Sequence, residues 1–160
     1  MIPHRARPPY DWAAILRLIQ TEFAYMDGRI DPPSSMTGLT GEGIARQTTS
    51  GEVWVIGTPP VAVMFLTPKQ DALYIGKLAV AASHRGQGLA RALTDLAATR
   101  AQALGLPALE LQTRIELTRS HAVFMALGFV EVARTAHPGF DRPTALTFRK
   151  AVTALGHNPL

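Results

Sequence analysis

The stretch His84-Arg85-Gly86-Gln87-Gly88-Leu89-Ala90-Arg91 lies between an apolar run (72–80) and an amphipathic pattern (89–104). It constrains the chain more than any other segment, because it demands a strand, a tight turn and a helix in immediate succession. Glycines at 86 and 88 remove side chains where the backbone must turn. A helix that starts at once leaves its first backbone N–H groups without intrahelical acceptors, pointing into the turn. Arginines stand on both sides. Bare donors, the positive helix end and fixed cations together build a cradle for a phosphate group. Arg91 sharpens this reading: a cation in a first helical turn opposes the macrodipole by up to about 1 kcal/mol, and a bound diphosphate reverses the sign. The alternative is a tight strand-to-helix loop with no ligand, which Gly88 alone does not exclude.

Around this turn the hydrophobic period changes along the chain. Asp11 is placed as an N-cap, and Trp12, Ile15, Leu16, Ile19 and Phe23 recur at helical spacing, predicting a helix over 12–25. Residues 27–35 are a loop by composition, and a short helix is expected over 40–48. Strands are expected at 52–56, 61–66 and 73–80, the first two joined by Gly57-Thr58-Pro59-Pro60. The helix after the glycines is stopped by Gly105 and Pro107. A strand (108–113), a helix (118–127) ended by Gly128, and two closing strands (129–135 and 144–150) follow. This order lacks the regular alternation of a doubly wound sheet. It predicts an α+β fold in which an antiparallel meander leads into one crossover joining parallel strands, 73–80 and 108–113.

The 160 residues suggest a single domain over 1–160, with 1–9 and 152–160 as flexible termini. No cysteine is present, which excludes disulfides, thiolate nucleophiles and Cys-ligated metals, and no metal site is expected. No apolar run reaches membrane-spanning length, and His4, Arg5 and Arg7 are not followed by a signal-like apolar stretch. The cytoplasm is the expected compartment, with no membrane partner. The net charge of +4 raises the question of nucleic acid. The basic residues are scattered, however, with no Lys/Arg block interleaved with aromatics, so no nucleic-acid partner is expected. A basic cleft for an anionic cofactor explains the excess equally well.

Which phosphate ligand the turn suits is narrowed by spacing. No Lys-Ser/Thr follows the glycines, so a P-loop is excluded. Gly86-x-Gly88-x-x-Arg91 keeps the first two glycines of a dinucleotide fingerprint, and Glu110 lies near the distance of a ribose-binding acid. Arg91 replaces the third glycine, and five residues separate Val80 from Gly86. A nucleotide-dependent oxidoreductase on a Rossmann-like unit is therefore the weaker alternative.

Arg85-x-x-Gly88-x-Ala90, the preceding Leu78-Ala79-Val80 and the later Ala126-Leu127-Gly128-Phe129 together resemble the GNAT superfamily of N-acetyltransferases. The likeness runs from about Trp12 to Lys150. It implies a central, mostly antiparallel mixed sheet with a splayed parallel strand pair, flanked by helices. It also implies acetyl-CoA as cofactor and direct attack by a primary amine of a small molecule or protein in a ternary complex. The resemblance places the pyrophosphate on the backbone of Arg85, Gly86, Gln87, Gly88, Leu89, Ala90 and Arg91, and the pantetheine arm along Leu78, Ala79 and Val80. Pantetheine carries amides that can satisfy an open sheet edge. Gly76, a glycine inside an apolar strand, suits the bulge that the family places there.

The chain departs from the family at the helix before Gly128-Phe129. Phe124 stands where a tyrosine often protonates the departing thiol, and Arg119-Ser120 stands where Glu-Asn often occurs. Ser120 and Phe124 are still expected beside the cofactor. Candidate catalytic groups are Tyr74, Asp27 and His137, since an acceptor ammonium must lose a proton before it attacks. Lys77, Glu110 and His121 are further options, His121 being better read as a structural histidine. The resemblance places the loops holding Asp27, Arg29 and Asp31 and holding Asp141 and Arg142 at the acceptor site. The aspartates there suit a cationic amine, although beside Gly and Pro they are also ordinary turn formers. The arginines suit either those aspartates or a carboxylate on the acceptor. A non-catalytic acyl-CoA sensor of the same fold is the other reading, with Phe124 marking lost chemistry. The final strand pair leaves a sheet edge that suits a homodimer.

Overall fold

The computed structural model describes residues 1–26, 28–34 and 38–152. Strands β2 (Glu52–Ile56), β3 (Ala62–Pro68) and β4 (Leu73–Val80) form the expected antiparallel meander. The crossover helix α3 (Leu89–Ala103) carries the chain to β5 (Ala108–Arg114), which pairs with β4 in parallel. Helix α4 (Thr118–Ala126) leads to β6 (Val130–Thr135) and β7 (Ala145–Ala151). β7 inserts between β5 and β6, and a two-residue β1 (His4–Arg5) lies at the other edge, giving one seven-stranded sheet of order β1-β2-β3-β4-β5-β7-β6. A single parallel pair in an otherwise antiparallel sheet sets aside the Rossmann-like reading.

Two N-terminal helices, α1 (Trp12–Phe23) and α2 (Gly41–Ser50), cover one face of the sheet, and α3 and α4 cover the other. β3 is buried on both sides: Ala62, Met64 and Leu66 pack toward α3, Val63 and Phe65 toward α1 and α2. That explains why 61–66 reads as a continuous apolar run instead of an alternating one. α2 is capped as its sequence demands, Thr40 Oγ1 accepting from Gly43 N–H at 3.0 Å. Asp11 stands at the N-cap of α1 but makes no side-chain cap bond. A short 3-10 turn, Ala24–Met26, follows α1.

The N-terminus corrects one expectation. His4–Arg5 forms an edge strand, β1, on Val55 and Trp54 of β2, and Ala6 is buried, its N–H donating to Val53 O at 2.8 Å. At the other end, Val152 is held by Pro107 O at 2.9 Å, and 153–160 lie outside the described residues. Among the described residues no helix is long and apolar enough to cross a membrane.

Glu52 is a buried carboxylate at the start of β2. Arg100 of α3 grips it with two bonds of 2.8 and 2.7 Å, and Trp54 Nε1–H donates at 2.8 Å. Burial raises its pKa, but the Arg100 and Trp54 hydrogen bonds and the Arg100 charge more than offset this and hold it below its ordinary value. A depressed carboxylate stabilises the fold above its unfolded pKa and loses that contribution as pH falls through the folded value. We expect Glu52→Gln to destabilise the protein at pH 7 by about 2 kcal/mol, less than for a fully buried pair because Arg100 is partly exposed. Urea melts from pH 7 down to 3 should show the gap between the two proteins closing below about pH 4.5.

Candidate functional site

The site begins with a slip of register. Met64 opposes Leu78 and Phe65 opposes Lys77, but Leu66 opposes Ile75, so Gly76 is an extra residue without a partner on β3. In a regular strand, residues 74 and 77 would face opposite sides. The bulge resets the alternation, so Tyr74 (opposite Thr67) and Lys77 (opposite Phe65) share the face covered by α1 and α2. Gln47 of α2 confirms that side, donating to Thr67 Oγ1 at 2.9 Å. A Cβ at Gly76 would meet Phe65 and the Tyr74 ring only at 3.9 Å, an ordinary contact, so packing inside the protein does not demand glycine there.

At the same point β4 leaves β5. Their parallel ladder runs from Leu73–Leu109 to Ile75–Leu111 and ends. The edge of β4 beyond Ile75 therefore turns toward β5 without a strand partner. A cleft of about 320 Å³ opens between the strands, walled by Tyr74 to Leu78 on one side and Leu111 to Arg114 on the other. Phe23, Met26 and Ile30 close the α1 end, and Ser120, Phe124 and His137 also line it.

β4 runs directly into the glycine turn. After a short 3-10 turn, Ala82–His84, the backbone is extended at Arg85 and left-handed at Gly86 (φ 77°) and Gly88 (φ 79°). Helix α3 starts at Leu89, and Ala92 N–H finds Gly88 O at 2.9 Å. The N–H groups of Leu89, Ala90 and Arg91 precede any intrahelical acceptor. No atom lies within 4 Å of where a Cβ would stand on Gly86 or Gly88. The glycines thus serve backbone geometry, and the space over them is open. Arg85 turns its guanidinium to buried Glu22 of α1 at 2.8 Å, while its N–H makes a long 3.4 Å bond to Ala82 O. Arg91 reaches Ala126 O at 3.5 Å, at the negative end of α4, which offsets part of its unfavourable place in α3. Gln87 is exposed, Leu89 buried and Ala90 half-buried.

The other expected site residues fall into distinct places. Leu78 lines the cleft, and Ala79 and Val80 continue the same strand. Ser120 and Phe124 lie one helical turn apart on α4, and the Phe124 ring packs on Phe129 and Phe148 with centroids 6.0 and 6.4 Å away. Tyr74 is raised above its usual pKa by burial and then by the Glu110 charge, against a lowering backbone hydrogen bond at Gln112, so its phenol stays protonated at neutral pH. Burial lowers Lys77. Thr144 Oγ1 is bonded to the His137 ring at Nδ1 and also accepts the His137 backbone N–H at 2.8 Å. His121 Nε2 bonds Arg114 O at 2.9 Å and its ring lies beside Phe148, a structural role. Glu110 is taken by Arg149 at 2.9 Å, and Arg149 also holds Asp71 at 2.7 Å.

At the mouth, Asp31 pairs with Arg142 at 3.1 Å across the two loops expected at the acceptor site. Asp141 is exposed and does not line the cleft, Arg29 N–H donates to Met26 O at 2.9 Å, and Asp27 lies outside the described residues. Sequence reasoning missed Arg114. Its guanidinium donates to Pro32 O and Pro33 O at 2.7 and 3.1 Å, and Glu116 accepts Asp31 N–H at 3.0 Å, pinning the first loop to β5. Their spacing along the chain carries no trace of these bonds. The sequence also gives no sign that Phe23, Met26 and Ile30 line the cleft, because an apolar residue near a helix end looks the same in a core and in a site.

The sequence profile of the acetyltransferase (GNAT) family matches residues 12–129, a span that takes in the meander, the glycine turn and the Gly128-Phe129 pair. The chain belongs to the GNAT acetyltransferase family. One relative by sequence is a mycothiol acetyltransferase from Jonesia denitrificans, 33% identical over 92 residues, which are 58% of this chain and 26% of that protein. The chain thus matches about a quarter of that relative's length. By structure, this GNAT chain is similar to the ribosomal-protein-S18-alanine N-acetyltransferase of Escherichia coli (TM-score 0.68, 18% identity, 99% of each chain covered). It is also similar to a chain of the NatC complex bound to Gag peptide and CoA (TM-score 0.62, 21% identity, 96% of this chain and 100% of that one). At these identities the structural likeness shows the GNAT fold.

Left-handed φ at Gly88 gives a direct test of the turn. Gly88→Ala places a Cβ in open space but in a strained backbone, so we expect about 1 kcal/mol of lost stability, measured by thermal unfolding, with the fold retained.

Proposed function

We propose that this chain transfers an acetyl group from acetyl-CoA to a primary amine of a small molecule or protein. The observation that carries this reading is the unpaired edge of β4 running straight into a turn with open space over two left-handed glycines. Such an edge offers main-chain donors and acceptors to an amide-bearing arm. The helix start beyond it offers N–H groups and a positive dipole end to a diphosphate. These features fit coenzyme A: Leu78, Ala79 and Val80 would hold the arm, and the backbone of 85–91 the pyrophosphate. Bound there, acetyl-CoA supplies an acetyl group activated as a thioester.

This chain's residues do the remaining work. Tyr74 holds its proton through neutral pH and serves as the cleft's acid, standing in for the tyrosine that Phe124 replaces. Thr144 fixes the His137 ring, which takes the proton shed by the acceptor ammonium. Ser120 contributes a hydroxyl on the cofactor side. Phe23, Met26, Ile30 and Phe124 exclude water. Phe124 also favours a second reading, a non-catalytic acyl-CoA sensor.

Acetyl-CoA at about 100 times its Kd should stabilise the protein by about 2.7 kcal/mol in thermal unfolding, and NAD should not. Gly88→Arg should remove that shift while the fold survives; a retained shift would place the pyrophosphate elsewhere. Release of free thiol across a panel of amines separates the enzyme from the sensor, which releases none. In the enzyme, Tyr74→Phe should lower kcat by about 100-fold while the acetyl-CoA thermal shift persists.

A further inference from the structure

We infer that the acceptor amine also bears a carboxylate, as in a free amino acid, and that Lys77 is the residue that holds it. This rests on the acetyl-transfer reading above and names its substrate class.

The position of Lys77 is the first observation. The extra residue at Gly76 puts its side chain on the α1 face together with Tyr74, in the wall of the cleft and close to where β4 and β5 part. The charge around the cleft is the second. Lys77 and Arg114 line it, and among the described residues no Asp or Glu does. Three nearby acids are held by arginines, Glu110 by Arg149, Asp31 by Arg142 and Glu22 by Arg85, and Glu116 turns one carboxylate oxygen to Asp31 N–H without lining the cleft. Arg114 spends its donors on the neutral carbonyls of Pro32 and Pro33, so its charge stays uncancelled by that contact.

Lys77 itself has no ion pair among the described residues, and burial alone accounts for its altered basicity. A half-buried ammonium without a counter-charge is costly, and an incoming carboxylate relieves the cost for both groups. A diamine would bring a second positive charge against Lys77 and be penalised. An amino acid, with one amine and one carboxylate, meets the site with its anionic end on Lys77 and its amine free for the cleft. This adds an anionic group to the cationic amine that the loop aspartates suit and moves the carboxylate contact from the loop arginines to Lys77.

The test compares matched acceptors in one assay of thiol release: the twenty common amino acids, their carboxamides, and putrescine. Wild type should turn over at least one amino acid with kcat/KM about 30-fold above that of its carboxamide, and putrescine should be poor. In Lys77→Gln the ratio should fall to about 3-fold or less, and Lys77→Arg should restore much of it. The ratio is internal to each protein, so a general loss of activity does not mimic it. Should Lys77→Gln fail to fold, calorimetry on wild type decides: an N-acetyl amino acid should bind about 10-fold more tightly than its carboxamide. Equal use of acid and amide, preference for putrescine, or a preference that survives Lys77→Gln overturns the inference while leaving acetyl transfer standing. No acetyl-CoA shift, or a shift with no thiol release from any acceptor, overturns the acetyl-transfer reading and this inference with it.

Discussion

The parallel ladder between β4 and β5 stops after Ile75 and Leu111, and the site depends on that early stop. Two neighbouring strands in a sheet ordinarily satisfy each other's backbone groups along their whole length. Here β5 finds its continuous partner in β7 instead, from Ala108 through Arg114. β4 is held on its other side by β3 through a one-residue slip at Gly76. The sheet therefore stays stitched on both flanks while a gap opens in the middle. A gap in a fully hydrogen-bonded scaffold is stable because neither strand relies on the other there. Its polar main-chain edge is a standing demand for a ligand with donors and acceptors of its own.

Charge is distributed with the same logic. Carboxylates near the cleft are committed to arginines on neighbouring elements: Glu22 to the glycine turn, Glu110 and Asp71 to β7, Asp31 to the last hairpin loop. Each pair fastens two segments far apart in the chain. The buried Glu52–Arg100 pair does this for β2 and α3. With those acids so occupied, Lys77 and Arg114 are the ionic side chains that line the cleft among the described residues, which suits an anionic ligand.

Much of the fold is written locally and was legible. The periods of 12–23 and 89–103, the Gly-Pro turn at 57–60 and the glycines at 86 and 88 each fix an element through its own residues. The bulge was also foreshadowed, since a glycine inside an apolar strand often marks one. What escaped depends on partners distant in sequence. β1 has two residues and exists only because the outer edge of β2 accepts it. Arg114 looks like any charged residue at a strand end until the carbonyls of Pro32 and Pro33 come within reach. Arg91 looks like evidence for an anion alone until the end of α4 is seen beside it. That the loop arginines could meet the loop aspartates was legible, but which of them would pair, Asp31 with Arg142, was not encoded in either loop.

The Asp31–Arg142 contact has a consequence for the mouth of the cleft. Both side chains are at least half exposed, so their attraction is shared with solvent and dissolved ions. The bulged strand beneath is fixed by many main-chain bonds, whereas the rim above is fastened across the two loops by a latch that ionic strength weakens. The first loop also keeps its own seat through Arg114 and Glu116, so added salt loosens the bridge between the two loops and leaves that seat and the strand in place.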